Sequence, residues 1–253
     1  QIQKNGKIVL YSSESSFNDN DVWMTFLAQN EIEARKIKQK ELKNIDPCLE
    51  NLDGEYYGGL YTPNDAYIDP FEFSKKLLNH LEIKYQDKFK ILFNKTSKLL
   101  IKNRAAIGIS AAEINYNFDA VVVCAGLEAS AMGIGCNIIP IRGYSLTYSI
   151  DKSYQSGVSI TDYSKRCLLS NAGNLVRATA GADFVGLNDN ISSEKWHELD
   201  NFAKRTHPHI ANINPTKWVG FRPLTPSSFP VIEKAKDIEG LYINSGHGGL
   251  GVT

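Results

Sequence analysis

The sequence predicts a mixed α+β and α/β fold built as two discontinuous domains, and three features carry that expectation. Asp119–Gly126 is an uninterrupted apolar run that stops at glycine, the form of a strand covered on both faces of an α/β sheet. Residues 144–150 alternate, and 166–170 and 175–180 flank Asn171-Ala172-Gly173-Asn174, which reads as an antiparallel hairpin. Strand-like segments then return after a helical stretch near 192–205, so the chain leaves and re-enters each kind of structure. The pieces 1–62 and 137–217 are expected in a mostly antiparallel-sheet domain, and 63–136 with 218–253 in an incomplete α/β domain.

The elements follow in order. Gly6–Ser12 reads as a strand, and Val22, Phe26 and Leu27 mark the inward face of a helix after Asn18. A short helix is expected at 41–45 before Asp46-Pro47, and a strand at 58–63. Asp69 can cap a helix whose first turn is Pro70-Phe71-Glu72, since proline is harmless where no intrahelical N–H is used. The spacing of Phe71, Ser74, Leu78 and Leu81 predicts that this helix buries those four. Apolar runs at 90–93, 98–102 and 105–110 predict a meander of strands. The helix at 192–205 turns Trp196, Leu199 and Phe202 inward and is stopped by Pro208. Strands at 218–224, 230–232 and 241–244 close the chain.

Bulk properties exclude several classes. Lys+Arg and Asp+Glu both number 28, so the whole-chain field offers nothing to nucleic acid or an anionic surface. No stretch approaches the roughly 20 apolar residues of a membrane span. Cys48, Cys124, Cys136 and Cys167 are far apart and form no CxxC pair, which predicts reduced thiols and a cytoplasmic setting. His207 and His209 lack a third ligand at suggestive spacing, and no metal site is expected. The chain opens at Gln1 and closes at Thr253 directly after a Gly-rich run; the pattern predicts further chain on both sides.

Three segments carry possible chemistry. Ser245-Gly246-His247-Gly248-Gly249-Leu250-Gly251-Val252-Thr253 follows a strand, and four glycines in six residues are costly unless the backbone turns sharply or a flat ligand approaches it. A ligand-free turn satisfies the same pattern. In Trp218–Pro226, Arg222 stands between Phe221 and Pro223. A guanidinium in so apolar a segment requires an anion, either a substrate carboxylate or a structural Asp or Glu. Tyr144, in Ile141–Thr147, either points its hydroxyl into a site or is an ordinary strand tyrosine. No GxSxG, HExxH or phosphate-loop motif is present.

Four blocks occur together and in order: Gly58-Gly59-Leu60 with Pro63-Asn64-Asp65; Arg142-Gly143-Tyr144-Ser145-Leu146-Thr147; Gly220-Phe221-Arg222-Pro223 with Thr225-Pro226; and Asn244–Gly251. In this the chain resembles the D-amino-acid oxidase superfamily of FAD-dependent oxidoreductases, and within it the small subunit of bacterial D-amino-acid dehydrogenase. The resemblance implies that the α/β domain binds FAD and the antiparallel domain the substrate. It implies that Arg222 holds the substrate carboxylate, that Tyr144 is a substrate-side wall, and that the Gly248 and Gly249 carbonyls lie near the substrate amine. It further implies cofactor contacts from Val123, Cys124, Ala125 and Gly126, from Arg142, and from Gly246, His247, Gly248, Gly249, Leu250, Gly251, Val252 and Thr253.

The reaction so implied is oxidative deamination of a D-amino acid to a 2-oxo acid and ammonia, by hydride transfer from Cα to flavin N5. Orientation and electrostatics then suffice on the protein's side, which suits a sequence with no acid/base pair. The implied electron acceptor is a quinone, with peripheral membrane association. The resemblance departs at two places: the family's strand, GxGxxG turn and helix are absent, and Ala66-Tyr67 replaces a glycine after the Asp65 turn. The 253-residue chain alone is therefore expected to bind FAD weakly or not at all. The alternatives are a glycine or sarcosine oxidase of the same superfamily, and a truncated remnant without catalysis.

Overall fold

The computed structural model describes residues 4–52, 54–151, 157–172 and 174–250. Alternation of apolar residues builds β1 (Lys7–Tyr11), whose Ile8 and Leu10 are fully buried. Two short helices follow, α1 (Glu14–Asn18) and α2 (Asp21–Gln29). The inward face expected of α2 is rotated: Leu27 packs with Met24 against Tyr11, Phe17 and Leu60, while Val22 and Phe26 are 78% and 51% exposed. Next come β2 (Arg35–Lys38), α3 (Leu42–Ile45) and β3 (Gly58–Thr62).

The helix capped by Asp69 is α4 (Pro70–Tyr85), and the cap forms as the sequence predicts. Asp69 Oδ1 accepts the N–H groups of Phe71 at 2.9 Å and Glu72 at 3.2 Å. Its predicted buried stripe does not form. None of its residues is buried, Phe71 and Ser74 are exposed, and Leu78 and Leu81 are half-buried. Spacing fixes which residues share a helix face, and cannot by itself supply the surface that covers it.

A three-stranded meander follows, β4 (Ser97–Lys102), β5 (Ala105–Ala111) and β6 (Ile114–Asn117), all antiparallel. The strand expected at 90–93 is instead irregular chain. The run 119–126 forms only a three-residue strand, β7 (Val121–Val123), and it is not covered on both faces, because Val122 is 58% exposed. After α5 (Glu128–Ala131) come β8 (Ile139–Ser149), β9 (Ser159–Asp162), β10 (Cys167–Ala172) and β11 (Leu175–Asp183). β10 and β11 form the predicted hairpin, paired to Ala172↔Leu175; Gly173 of its loop lies outside the described residues.

Ser192 caps α6 (Ser193–Thr206) by accepting the Lys195 N–H. Leu199 and Phe202 are sealed beneath it and Trp196 packs against the same core. β12 (Thr216–Leu224), β13 (Val231–Lys234) and β14 (Leu241–Ser245) end the described fold.

The chain divides into two units, Gln1–Phe73 with Gly143–Ala182 and Asp189–Gly220, and Ser74–Arg142 with Asp183–Asn188 and Phe221–Thr253. The first is organised by an eight-stranded sheet ordered β12-β8-β11-β10-β9-β1-β3-β2. There β1 pairs parallel with β9 and antiparallel with β3. Its main core runs from Ile8, Leu10 and Ile160 to Leu199 and Phe202. The second unit holds the β4-β5-β6 sheet and the sheet β13-β14-β7, in which β14 is antiparallel to β13 and parallel to β7. Among the described residues no helix is long and apolar enough to cross a membrane.

Candidate active site

The parallel pair β7 and β14 places two chain ends side by side in the second unit. Val121, Val122 and Val123 stand opposite Leu241, Tyr242 and Ile243, so Cys124–Gly126 and Ser245–Gly249 leave the sheet at the same edge. Ser245 Oγ donates to the Gly126 carbonyl at 3.4 Å and ties the two ends together. Carboxyl ends of parallel strands are where open α/β sheets bind ligands. Cys124 is exposed there, and Ala125 and Gly126 are half-buried.

The glycine-rich bend is held by the end of β12. Gly248 N–H donates to the Pro223 carbonyl at 2.7 Å, and Leu224 and His247 form an antiparallel bridge. Gly246, at φ +80°, could carry no side chain, because a Cβ there would meet Thr225 Cγ2 at 2.5 Å. Turn geometry and the press of β12 thus explain Gly246. They do not explain Gly249: its φ is not in the left-handed region, and a Cβ there would touch only Arg222 Cδ, at 3.8 Å. The open side of Gly249 is the feature a flat ligand would need.

That last contact brings in Arg222. Its half-buried side chain lies along Gly249, on the same stretch of β12 that holds the bend. A structural carboxylate is found at Arg142. Arg142, 6% exposed and implied by the resemblance as a cofactor contact, donates through Nε and Nη2 to Asp183 Oδ2 at 3.3 and 2.8 Å, and through Nη1 to the Asn188 carbonyl at 2.9 Å. A buried guanidinium must find an anion, and Arg142 finds one on β11.

Tyr144 lies in the first unit. It is 6% exposed in the core of the first unit, its ring edge-on to Trp196 at 5.3 Å. The resemblance implied a substrate-side wall; in the structure Tyr144 packs between β8 and α6. Of the remaining expected contacts, Val123 is buried in the second unit's core, His247 and Gly248 are half-buried, and Leu250 is 67% exposed. Gly251, Val252 and Thr253 lie outside the described residues.

Two residues that hold the site were not singled out from sequence. Ser245 is 2% exposed and bonds across to Gly126, and Thr225, 3% exposed, donates to the Phe229 carbonyl at 2.7 Å while its methyl supports Gly246. A small hydroxyl residue immediately beside a glycine or proline turn was the available signal. His207 and His209 pack ring to ring at 5.5 Å, and among the described residues no group of three or more His, Cys, Asp or Glu is placed to hold a metal.

A family model described as FAD dependent oxidoreductase matches residues 1–253. The chain belongs to the FAD-dependent oxidoreductase family. It is 26% identical over 265 residues to D-amino acid dehydrogenase 2 of Ralstonia nicotianae, and 27% over 263 residues to D-amino acid dehydrogenase 3 of Mesorhizobium japonicum. Each match covers 99% of this chain and 62% of the relative, so the chain spans under two thirds of their length. Among solved structures, glycine oxidase from Bacillus cereus superposes with a TM-score of 0.83 at 16% identity, covering 98% of this chain and 69% of that one. L-proline dehydrogenase from P. horikoshii gives 0.79 at 18%, covering 99% and 69%. At these identities the two structures speak for the shared fold alone. The residues at the β7/β14 edge fit a flavin: Gly126, where a Cβ would meet nothing within 4 Å, and Gly249 both leave backbone open on that edge.

Proposed function

We propose that this chain serves the FAD-dependent oxidative deamination of D-amino acids to 2-oxo acids and ammonia. The observation that carries the reading is the Arg222 side chain lying against the open side of Gly249 at the carboxyl ends of β7 and β14. Arg222 grips the substrate carboxylate with parallel N–H bonds, a geometry suited to a planar fork. That grip, together with the backbone of the bend, fixes the direction in which the substrate Cα points. The carbonyls of Gly248 and Gly249 accept from the substrate amine. Bound FAD supplies the hydride acceptor. The chain's own contribution is orientation and exclusion of alternatives, with no side chain needed as a strong base once the amine is neutral. The imino acid product is hydrolysed by water. Residues 123–126 and 246–250 form the cofactor-facing backbone, and the two D-amino acid dehydrogenase relatives favour a dehydrogenase, for which this reading takes a quinone as electron acceptor and peripheral membrane association. An oxidase of the same family would differ by producing hydrogen peroxide.

The reading is tested in an FAD-loaded enzyme carrying this stretch. Arg222→Ala should raise KM for the D-amino acid about 100-fold, the scale for losing one partner of a desolvated charge pair, while the flavin absorbance of the purified protein stays unchanged. Unaltered KM would remove Arg222 from the site. Turnover with a quinone-like dye and no peroxide separates dehydrogenase from oxidase.

A further inference from the structure

One face of the first unit's sheet is closed by α6 and the segment around Leu42–Leu52. The opposite face is covered by α1 and α2 over Tyr11 and Leu60, and along β10 and β11 it carries polar side chains instead. Ser170 stands directly across from Arg177, and Leu168 across from Thr179, all on this face. Arg177 Nε donates to Thr147 Oγ1 of β8 at 3.2 Å. Ser170 is 6% exposed, and Arg177 and Thr147 are half-buried. The Tyr67 hydroxyl belongs to the same cluster: burial and the Asp69 charge raise its pKa, while the Arg177 charge and a hydrogen bond with Ser170 lower it.

The contrast with Arg142 decides what this cluster can do. Arg142 has Asp183 against its guanidinium. Among the described residues no carboxylate lies within ion-pair distance of Arg177, and Asp69, the acid nearest Tyr67, has one oxygen committed to capping α4. The guanidinium has the Thr147 hydroxyl bonded to it, Ser170 across the ladder and Tyr67 within reach of its charge, and hydroxyls turn their protons toward an anion readily. A planar carboxylate matches the fork of Arg177, with the hydroxyls able to fill its remaining lone pairs.

We propose that Arg177, with the hydroxyls of Thr147, Ser170 and Tyr67, is a second carboxylate-binding site of this chain, taking small carboxylic and amino acids. Only the identity of its natural ligand rests on the D-amino-acid reading above; the anion site stands on its own geometry. Arg177 would then set which acids the protein accepts.

The test is a nuclear magnetic resonance titration of the 253-residue chain, following the Arg177 Nε–H signal and the backbone amides of Thr147 and Ser170 with acetate, then D-alanine, with methylammonium as a cation control. Acetate and D-alanine should shift the signal saturably and methylammonium should not. Arg177→Met and Arg177→Lys should weaken acetate binding at least about tenfold, the scale of one lost charge-assisted contact, with circular dichroism confirming the fold. Thr147→Val, which keeps the guanidinium but frees it from its strand, should weaken it a few-fold, and Arg222→Met should leave the Arg177 response intact. An Arg177 signal that acetate does not move in the unaltered chain, or acetate binding indifferent to Arg177→Met, would overturn the site. Acetate binding without any D-alanine response would keep the anion site and sink the amino-acid reading.

Discussion

The two units spend their apolar residues differently. The first seals large side chains completely: Tyr148, Leu199, Phe202 and Ile210 lie between its eight-stranded sheet and α6. The second has a smaller cluster of Ala106, Val123, Ala129, Leu241 and Ile243, with no aromatic among its buried members. Its aromatics Phe93, Phe118 and Phe229 are 65%, 49% and 77% exposed, and Val122 of its parallel edge strand faces outward. The glycine-rich bend and Arg222 belong to this second, less filled unit. Segments that bind and release ligands are commonly drawn from the less stable end of a structure, and here the larger sealed core and the Arg222 bend belong to different units.

The sharpest way to break that comparison is to truncate one apolar side chain in each. Phe202→Ala empties a fully enclosed site under α6 and should cost about 4 kcal/mol. Val122→Ala removes a mostly exposed side chain and should stay within about 0.5 kcal/mol. Urea unfolding followed by the fluorescence of Trp196, which packs on Tyr144 in the first unit, measures the first directly. Equal losses would mean that the units are not distinct in stability.

A smaller effect tests the first unit's core by pH. His207 is wholly buried, and neither ring nitrogen has a hydrogen-bond partner among the described residues. Burial, helped by the charge of His209 and opposed by Asp46, pushes its pKa down to about 4. The unfolded chain takes up this proton near pH 6.5, the folded one only near 4. The group's contribution is therefore complete above 6.5 and is lost as pH falls from 6.5 to about 4, on the order of 3 kcal/mol in all. Asp162 separates cleanly from this window. Burial raises its pKa, but the Lys165 N–H, the Tyr56 and Ser164 hydroxyls and the Lys165 charge bring the net value below 3.8, so its loss begins in stronger acid. His207→Leu should flatten the slope between pH 6.5 and 4 without lowering stability at pH 7. A slope that persists unchanged would assign the titration elsewhere.

How much of this was legible in the sequence follows the range of the interactions. The helix from Ser192, its Leu199 and Phe202 face and the 167–183 hairpin depend on neighbours within a turn or across a short loop, and they form where the pattern puts them. The parallel pairing of β1 with β9 joins Lys7 to Ser159, and no local signal marks it. The same limit explains the site. Arg142 and Arg222 both stand in apolar segments, but the carboxylate that takes Arg142 lies 41 residues away at Asp183. Alternation correctly put Tyr144 with Leu146 and Tyr148 on one face of β8, and nothing in it said that this face meets Trp196 and Asp200 of α6. Arg177 escaped notice because its partners Thr147 and Ser170 come from different strands.

The smallest effect joins the exposed helix α4 to the polar face of the first unit through Asp69. Because no residue of α4 is buried, its first turn depends on the Asp69 cap more than on packing, and Asp69→Ala should cost about 1 kcal/mol. The loss should appear as faster amide exchange at Phe71 and Glu72, whose N–H groups Asp69 Oδ1 now accepts. Asp69→Asn separates cap from charge, since asparagine caps as well as aspartate. Exchange at Phe71 and Glu72 should stay slow, while removal of the negative charge beside Tyr67 should tighten acetate binding at Arg177 by about two- to threefold, the size of a partly screened charge contact. If Asp69→Asn leaves acetate affinity untouched, the cap and the polar face are independent, and Asp69 serves α4 alone.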